Sequence, residues 1–390
     1  MRFSDRMDMI PEYVVARLNR VIAERRAAGA DVISLGVGDP DVPPDPRIRA
    51  RLAEEVQRDD AARYPTNVGQ PELRAAVAEH YARRFGVAVD PDTEVLPLLG
   101  AKEGLAHLAL AVLDPGSTAL VADPGYPVYA GGPLIAGASS YGLPLLAANG
   151  FQPDLGGVPA DVAVKARLLV CGYPNNPTGA VAAPGLFADL AAFGDHHDLV
   201  LCHDHAYAEI AYDDAVAPSA LAEPAFRARG VEILSLSKTF SIPGWRIAFA
   251  VGDAEVIGVL RRLKTQIDSG MFPALQRTAA WMLGEESLDR APVALYRARR
   301  DLACALLAEI GMPVDPPRGG MYLWVPVPTA ETSEAFATRL LEGADVVVTP
   351  GTAYGAAGEG YVRIALTVPE ERLREAIDRI GAVLGAAAAE

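Results

Sequence analysis

The chain has 390 residues, 51% hydrophobic and 22% charged, enough apolar material for two domains or for one large α/β domain and a smaller one. Its net charge of -15 argues against nucleic acid or an anionic membrane as partner, so an anionic ligand has to be held by a local group of cations. The three cysteines, Cys171, Cys202 and Cys304, do not read as a disulfide framework, no run reaches the length of a membrane span, and a cytoplasmic location is expected.

Residues 12–28 read as an amphipathic helix with Val14, Val15, Leu18, Val21 and Ile22 on one face. An extended segment over 31–35 breaks at Gly36-Val37-Gly38-Asp39-Pro40-Asp41. Pro71 opens a second helix, at a position where a missing N–H is harmless. Short apolar strands are expected at 94–99, 118–122, 167–172, 199–203, 231–236 and 246–251, most of them separated by helical stretches. That alternation marks an α/β fold, a mostly parallel sheet with helices on both faces. A long helical pattern at about 285–310 leads to an extended Met321-Tyr322-Leu323-Trp324-Val325, a helix near 333–343, a strand at 361–366 and a final helix from 370. This second set reads as a smaller α+β domain. The expected organisation is an arm over 1–45 that joins the small domain, a large domain over 46–284 and a small C-terminal domain over 285–390, with residues 386–390 as a frayed tail.

Ligands of open α/β sheets bind beyond the carboxyl ends of the strands. Gly100-Ala101-Lys102 opens a helix there, and its free N–H groups favour a phosphate, although an ordinary strand–helix turn has the same outline. Tyr126, in Asp123-Pro124-Gly125-Tyr126, either faces a flat ligand or fills the core. Asn176, in Tyr173-Pro174-Asn175-Asn176-Pro177-Thr178-Gly179, either aims an amide into a cleft or closes a turn. Asp204 directly follows the strand 199–203, with Tyr207 three residues on; a carboxylate there needs a positive partner such as a protonated pyridine nitrogen. His203 and His205 flank it. A metal reading is rejected, because adjacent strand residues point to opposite faces and no further Cys, His or carboxylate is spaced to complete a site. His205 is then a loop or supporting group.

The most informative stretch is Ser235-Leu236-Ser237-Lys238-Thr239-Phe240, after the apolar run Val231-Glu232-Ile233-Leu234 and before Gly244-Trp245-Arg246. A buried lysine persists mainly when it is neutralised, paired or made covalent. A covalent link to pyridoxal phosphate meets that need, with Ser235, Ser237 and Arg246 around the phosphate; the alternative is a strand-end lysine in solvent. Arg363, inside Tyr361-Val362-Arg363-Ile364-Ala365-Leu366, suits a two-pronged carboxylate contact, or else the outer face of a strand.

On these residues the chain resembles the fold-type I pyridoxal-phosphate enzymes of the class I/II aminotransferase family, from Gly36-Val37-Gly38-Asp39-Pro40 through Arg363. Pro124-Gly125-Tyr126-Pro127-Val128-Tyr129, Tyr173 through Gly179, Ser235 through Thr239 and Ile267-Asp268-Ser269-Gly270 are most similar to the motifs of LL-diaminopimelate aminotransferases. The resemblance implies that Lys238 carries the cofactor, that Asp204 pairs with its ring nitrogen, and that Tyr207 and Asn176 bond its ring oxygen. It implies Tyr126 stacked on the ring, and Gly100, Ala101, Lys102, Ser235, Ser237 and Arg246 about the phosphate. Arg363, with Asn176 and Gly38, would hold the substrate carboxylate end, and Lys102 is a candidate for a distal acidic or zwitterionic group. Tyr64 would reach the phosphate of a neighbouring subunit, so a homodimer with shared active sites is expected.

The expected activity is transfer of an amino group from an L-amino acid, acidic or diaminopimelate-like, to a 2-oxo acid. Ser241-Ile242-Pro243, Met271-Phe272-Pro273 and Gly319-Gly320-Met321-Tyr322 depart from the relatives where substrate choice is made. They keep open an alternative with the same cofactor: a lyase, a cyclase or a carbon–carbon bond-forming enzyme, for example one using S-adenosylmethionine. A sensing domain of a transcription regulator is disfavoured by the acidic charge. A nicotinamide dehydrogenase is disfavoured because no glycine-rich fingerprint follows an early strand.

Overall fold

The computed structural model describes residues 1–288 and 291–387; residues 289–290, and 388–390 of the tail expected to fray, lie outside the described residues. The strands in chain order are β1 (Ile33–Ser34), β2 (Val95–Leu98), β3 (Thr118–Asp123), β4 (Ser139–Pro144), β5 (Ala166–Gly172), β6 (Val200–His205), β7 (Gly230–Ser235), β8 (Ala248–Gly252), β9 (Tyr322–Pro326), β10 (Val346–Val347), β11 (Thr349–Pro350) and β12 (Tyr361–Ala365).

β2 to β8 form one sheet in the order β2-β8-β7-β6-β5-β3-β4, with β8 antiparallel to both its neighbours and the other pairings parallel. Strands covered on both faces need unbroken apolar runs. Leu168-Leu169-Val170-Cys171 of β5 and Phe249-Ala250-Val251 of β8 supply them, and all are buried. The covering helices include Pro71–Phe85, Ala101–Val112, Leu186–His197 and Ala254–Lys264. Pro71 stands in the first turn of its helix, and Gly86 ends it in the left-handed region at φ 68°.

Some elements of this sheet layer, β4 and the helix Pro46–Val56 among them, have no counterpart in the strands and helices expected above. β4 is an edge strand whose Ser139-Ser140-Tyr141-Gly142 stretch is largely exposed, so it carries no apolar run. The helix Pro46–Val56 is rich in arginine and glutamate and is started by Asp45, whose side chain accepts from the Arg47 N–H. The long helix expected from about residue 285 runs instead over Ala291–Glu309, and residues 286–288 form a turn.

β9, β11 and β12 form a separate antiparallel sheet in the order β11-β12-β9, and β1 pairs in parallel with β10. Ile33 and Leu35 of the N-terminal arm pack in one hydrophobic cluster with Leu323 and Val325 of β9, Val362 and Ile364 of β12, and Leu373 and Ile377 of the last helix. The large sheet has its own cluster. The carboxyl ends of β5, β6 and β7 face the second sheet across a cavity.

Candidate active site

That cavity has a volume of about 470 Å³ and draws its walls from both hydrophobic clusters. At one end lie Ala101, Lys102, Ser235, Ser237 and Arg246. The helix Ala101–Val112 starts here without a side-chain cap, so its first N–H groups stay free. Gly100, before it, holds φ 100°, and a Cβ there would collide with the Arg246 guanidinium. Arg246 itself sits in the left-handed region at φ 59°, a conformation that turns its side chain back toward this helix start. Ser235 caps the short turn Leu236–Thr239 by accepting from the Ser237 N–H at 3.2 Å. Free N–H groups, two hydroxyls and a guanidinium form a cradle for a doubly charged anion.

At the centre stand Lys238 and Asp204. Lys238 Nζ donates to the Gly38 carbonyl at 2.7 Å. Burial pushes its ammonium below the usual lysine range, only partly opposed by Tyr322 and Asp39. The Asp204 carboxylate accepts from Tyr129 Oη at 2.9 Å and the Ala206 N–H at 3.2 Å. Burial raises its carboxyl to about 6, because neither bond brings a positive charge. Tyr126 and Asn176 also line the cavity.

At the far end, β12 presents Arg363, buried, with one N–H to the Gly36 carbonyl at 2.7 Å and another to Asn176 Oδ1 at 2.9 Å. Its Nε has no partner among the described residues. The guanidinium lies 3.9 Å from the centre of the Tyr322 ring, and Tyr322 Oη is 3.0 Å from Tyr207 Oη. Lys102 Nζ sits 3.5 Å over the Tyr13 ring.

Residues 30–380 match the family described as aminotransferase class I and II. The chain belongs to this family. Among curated relatives, the LL-diaminopimelate aminotransferase of Moorella thermoacetica is 46% identical over 386 residues, covering 99% of each chain. That of Dehalococcoides mccartyi is 46% identical over 381 residues, covering 97% of this chain and 98% of its own. Among solved structures, apo-BacF from Bacillus subtilis superposes with a TM-score of 0.94 at 37% identity, covering 98% of both chains. Aspartate aminotransferase from Thermus thermophilus with maleate gives 0.91 at 30% identity, covering 98% of this chain and 100% of that one. The protein is therefore a pyridoxal-phosphate-dependent aminotransferase of fold type I. The elimination and carbon–carbon alternative draws no support from these relatives.

The residues of this aminotransferase suit the cofactor. The anion cradle suits the phosphate, and Asp204, buried without a cation, suits a protonated ring nitrogen. Lys238, uncharged more readily than a surface lysine, suits a carbonyl partner. Twelve of the expected site residues meet in the cavity: Gly38, Ala101, Lys102, Tyr126, Asn176, Asp204, Tyr207, Ser235, Ser237, Lys238, Arg246 and Arg363. Gly100 lies behind Arg246. Tyr64 is elsewhere, 89% exposed and outside the cavity wall. Sequence reasoning gave no role to Tyr13, Tyr129 and Asp39, and none to Tyr322 beyond its place in a substrate-facing loop. In sequence, each reads as a core aromatic or a turn residue, and only long-range pairing brings it here.

The reading of His203 and His205 requires correction. Two residues apart on a strand, they share a face, and His205 is the last residue of β6 rather than a loop residue. Both reach Glu232 of β7, with Nδ1 atoms 2.8 and 3.1 Å from its oxygens. A carboxylate therefore does complete a group of three metal-ligand types. Glu232 also accepts from Tyr81 Oη at 2.9 Å, Ser219 Oγ at 3.0 Å and the Ala220 N–H at 2.9 Å, so its lone pairs are already in use. Burial alone would raise its carboxyl; His205 and His203 overcome that and hold it far below the usual range. A second such group, Glu103, His107 and Asp268, contains the Lys264 ammonium, 2.9 Å from Glu103 and 2.6 Å from Asp268, which fills the place of a cation.

Proposed function

We propose that the amino donor is LL-diaminopimelate, or an L-amino acid with a similar zwitterionic far end, and that a 2-oxo acid is the acceptor. The observation that carries this is Lys102. Its ammonium has no acidic partner among the described residues, sits over the Tyr13 ring and lines the same cavity as Arg363. One cation then suits the α-carboxylate and another the distal one. The names of the curated relatives agree with it.

In this reading Arg363 binds the α-carboxylate as a planar fork, and Asn176 fixes its plane through their 2.9 Å bond. Lys238 anchors the cofactor and, once freed, takes the proton from the substrate Cα and returns it, as a neutral amine held in place by burial. Pyridoxal phosphate, when bound, supplies a ring that accepts the electron pair left at Cα. Asp204 keeps a proton on the ring nitrogen, and Tyr207 faces the ring oxygen. Tyr126 covers a ring face, and Ala101, Ser235, Ser237 and Arg246 hold the phosphate.

A donor panel tests the substrate. Lys102→Gln should lower kcat/KM for diaminopimelate by about 10- to 100-fold and for neutral donors by less than about threefold, because only the distal carboxylate loses a charge-assisted bond. An equal loss on all donors, with weaker cofactor retention, assigns Lys102 to the phosphate alone.

The homodimer belongs to the same proposal. Tyr64, Ile267 and Phe272 are exposed apolar side chains beside the Asp268-Ser269-Gly270 loop, and Asn67 donates to the Asp268 carbonyl at 3.1 Å, which ties the Tyr64 loop to it. Light scattering at micromolar concentration should give twice the chain mass. A stable, fully active monomer overturns the shared site. We also read residues 1–45, 46–284 and 285–390 as arm, large domain and small domain, in keeping with the two hydrophobic clusters. A cytoplasmic location agrees with three free cysteines.

A further inference from the structure

Tyr322 lies where the two halves of the site meet. It stands on β9 opposite Ala365 of β12, one diagonal step from Arg363, so its ring and the guanidinium share a face of the small sheet. Its ring lies 3.9 Å from Arg363 Cζ, close enough for a cation–π contact in a desolvated setting. Its hydroxyl lies 3.0 Å from that of Tyr207, which follows the end of β6 in the large sheet. A Cβ at Gly38 would collide with the same hydroxyl, and the Gly38 carbonyl accepts from Lys238 Nζ at 2.7 Å. One side chain thus touches the arginine, the phenol and the backbone that holds the lysine.

We propose that Tyr322 is a positioning residue of this active site: its ring sets the plane of Arg363, and its hydroxyl competes with the cofactor for the Tyr207 proton and sustains the charge on the Lys238 nitrogen. The proposal rests on the roles given above to Arg363, Tyr207 and Lys238. The charge pattern supports it. Burial would raise the Tyr322 phenol, yet Arg363 and Lys238 outweigh burial and lower it. Burial raises the Tyr207 phenol well above its usual range. These opposite directions favour Tyr207 as the donor across the 3.0 Å contact and leave the Tyr322 oxygen as the more negative of the two. The groups that face it are Tyr207 from the loop after β6, Arg363 from β12 and Lys238 from the turn after β7. Tyr126, Tyr354 and Tyr296 lie at longer range, and Asp39 acts on Lys238.

The sign of the effect follows. Negative character at Tyr322 favours a protonated nitrogen on Lys238, and it draws the Tyr207 proton away from the cofactor oxygen. Tyr322→Phe removes both influences, and each removal favours loss of the proton from the Lys238 nitrogen.

The test uses the cofactor-loaded protein. In Tyr322→Phe, the pH midpoint of the visible absorption band, which reports the proton on the Lys238 nitrogen, should fall by about half to one unit. kcat should fall about five- to twentyfold, while KM for the amino donor stays within about twofold because the ring remains on Arg363. Tyr322→Leu, which loses the ring as well, should also raise that KM. A Tyr322→Phe protein with the wild-type midpoint overturns the proposal whatever its kcat, since a purely structural tyrosine would lower the melting temperature and leave the midpoint in place. Arg363→Lys, measured alongside, should raise KM for every amino-acid donor. If it does not, the carboxylate role of Arg363 fails, and the midpoint of Tyr322→Phe still decides the proton competition.

Discussion

Replacing Lys238 with alanine is expected to lower turnover by at least about 10³-fold, because the group that exchanges with substrate at the cofactor and the group that moves the Cα proton vanish together. No neighbour can take over. Lys264, the other buried lysine, is paired with Glu103 and Asp268 at 2.9 and 2.6 Å. Lys102 sits over Tyr13 at the phosphate end. The variant should fold at least as well as the wild type, since burial disfavours the Lys238 charge. Borohydride treatment of the loaded wild-type protein should leave a pyridoxyl group on the peptide containing Lys238. Recovery of that group on Lys102 or Lys264 would overturn the assignment.

Asp204→Asn is expected to keep the cofactor and lose about 10²- to 10⁴-fold in kcat/KM, because a neutral amide cannot hold a proton on the ring nitrogen. The same substitution should stabilise the cofactor-free protein. The folded-state carboxyl rises from the ordinary 3.8 to about 6, so below pH 4 both states are protonated and the group is neutral to folding. Between about pH 4 and 6 the unfolded chain ionises first, and stability falls as pH rises; above 6 the whole penalty, on the order of 1–3 kcal/mol, is present. Thermal unfolding of the cofactor-free proteins at pH 8 should show the variant melting higher, and at pH 4 the two should converge. A near-normal rate in the variant, or a lower melting point at pH 8, would contradict the role of Asp204 as a charge held in readiness for a cationic partner.

Much of this was legible in the sequence, for a physical reason. Strands buried on both faces must be apolar throughout, so β3, β5, β6 and β7 announce themselves, and the polar residues that end them are conspicuous by contrast. Lys238, Asp204 and Ser235 were found that way. β4 was not, because an edge strand half in water needs no apolar run, and Ser139 and Ser140 supply none. The helix Pro46–Val56 escaped because its exposed face is nearly all arginine and glutamate. At the site, Tyr322 and Tyr13 carry no local mark. Their places depend on β9 pairing with β12, about 40 residues further on, and on β1 pairing with β10, about 300 residues further on. The two histidines were misjudged by considering neighbours along the strand rather than alternate positions, and Glu232 was missed because a glutamate inside an apolar run is visible only as an exception, not as a partner.

Glu232 and its two histidines have a consequence for how this sequence can drift. The carboxylate accepts hydrogen bonds from Tyr81, Ser219 and the Ala220 N–H and lies against His203 and His205, all buried, with the two histidines on the face of β6 opposite Asp204. Losing one histidine leaves the carboxylate still well solvated by the rest of the protein. Losing Glu232 first strands several buried donors at once, at a cost on the order of several kcal/mol. Lineages descending from this chain can therefore change either histidine at lower cost than Glu232, though neither change is free, because His205 and His203 together hold the buried carboxylate charged. The order of the steps, and not merely their cost, is written into the floor of the site.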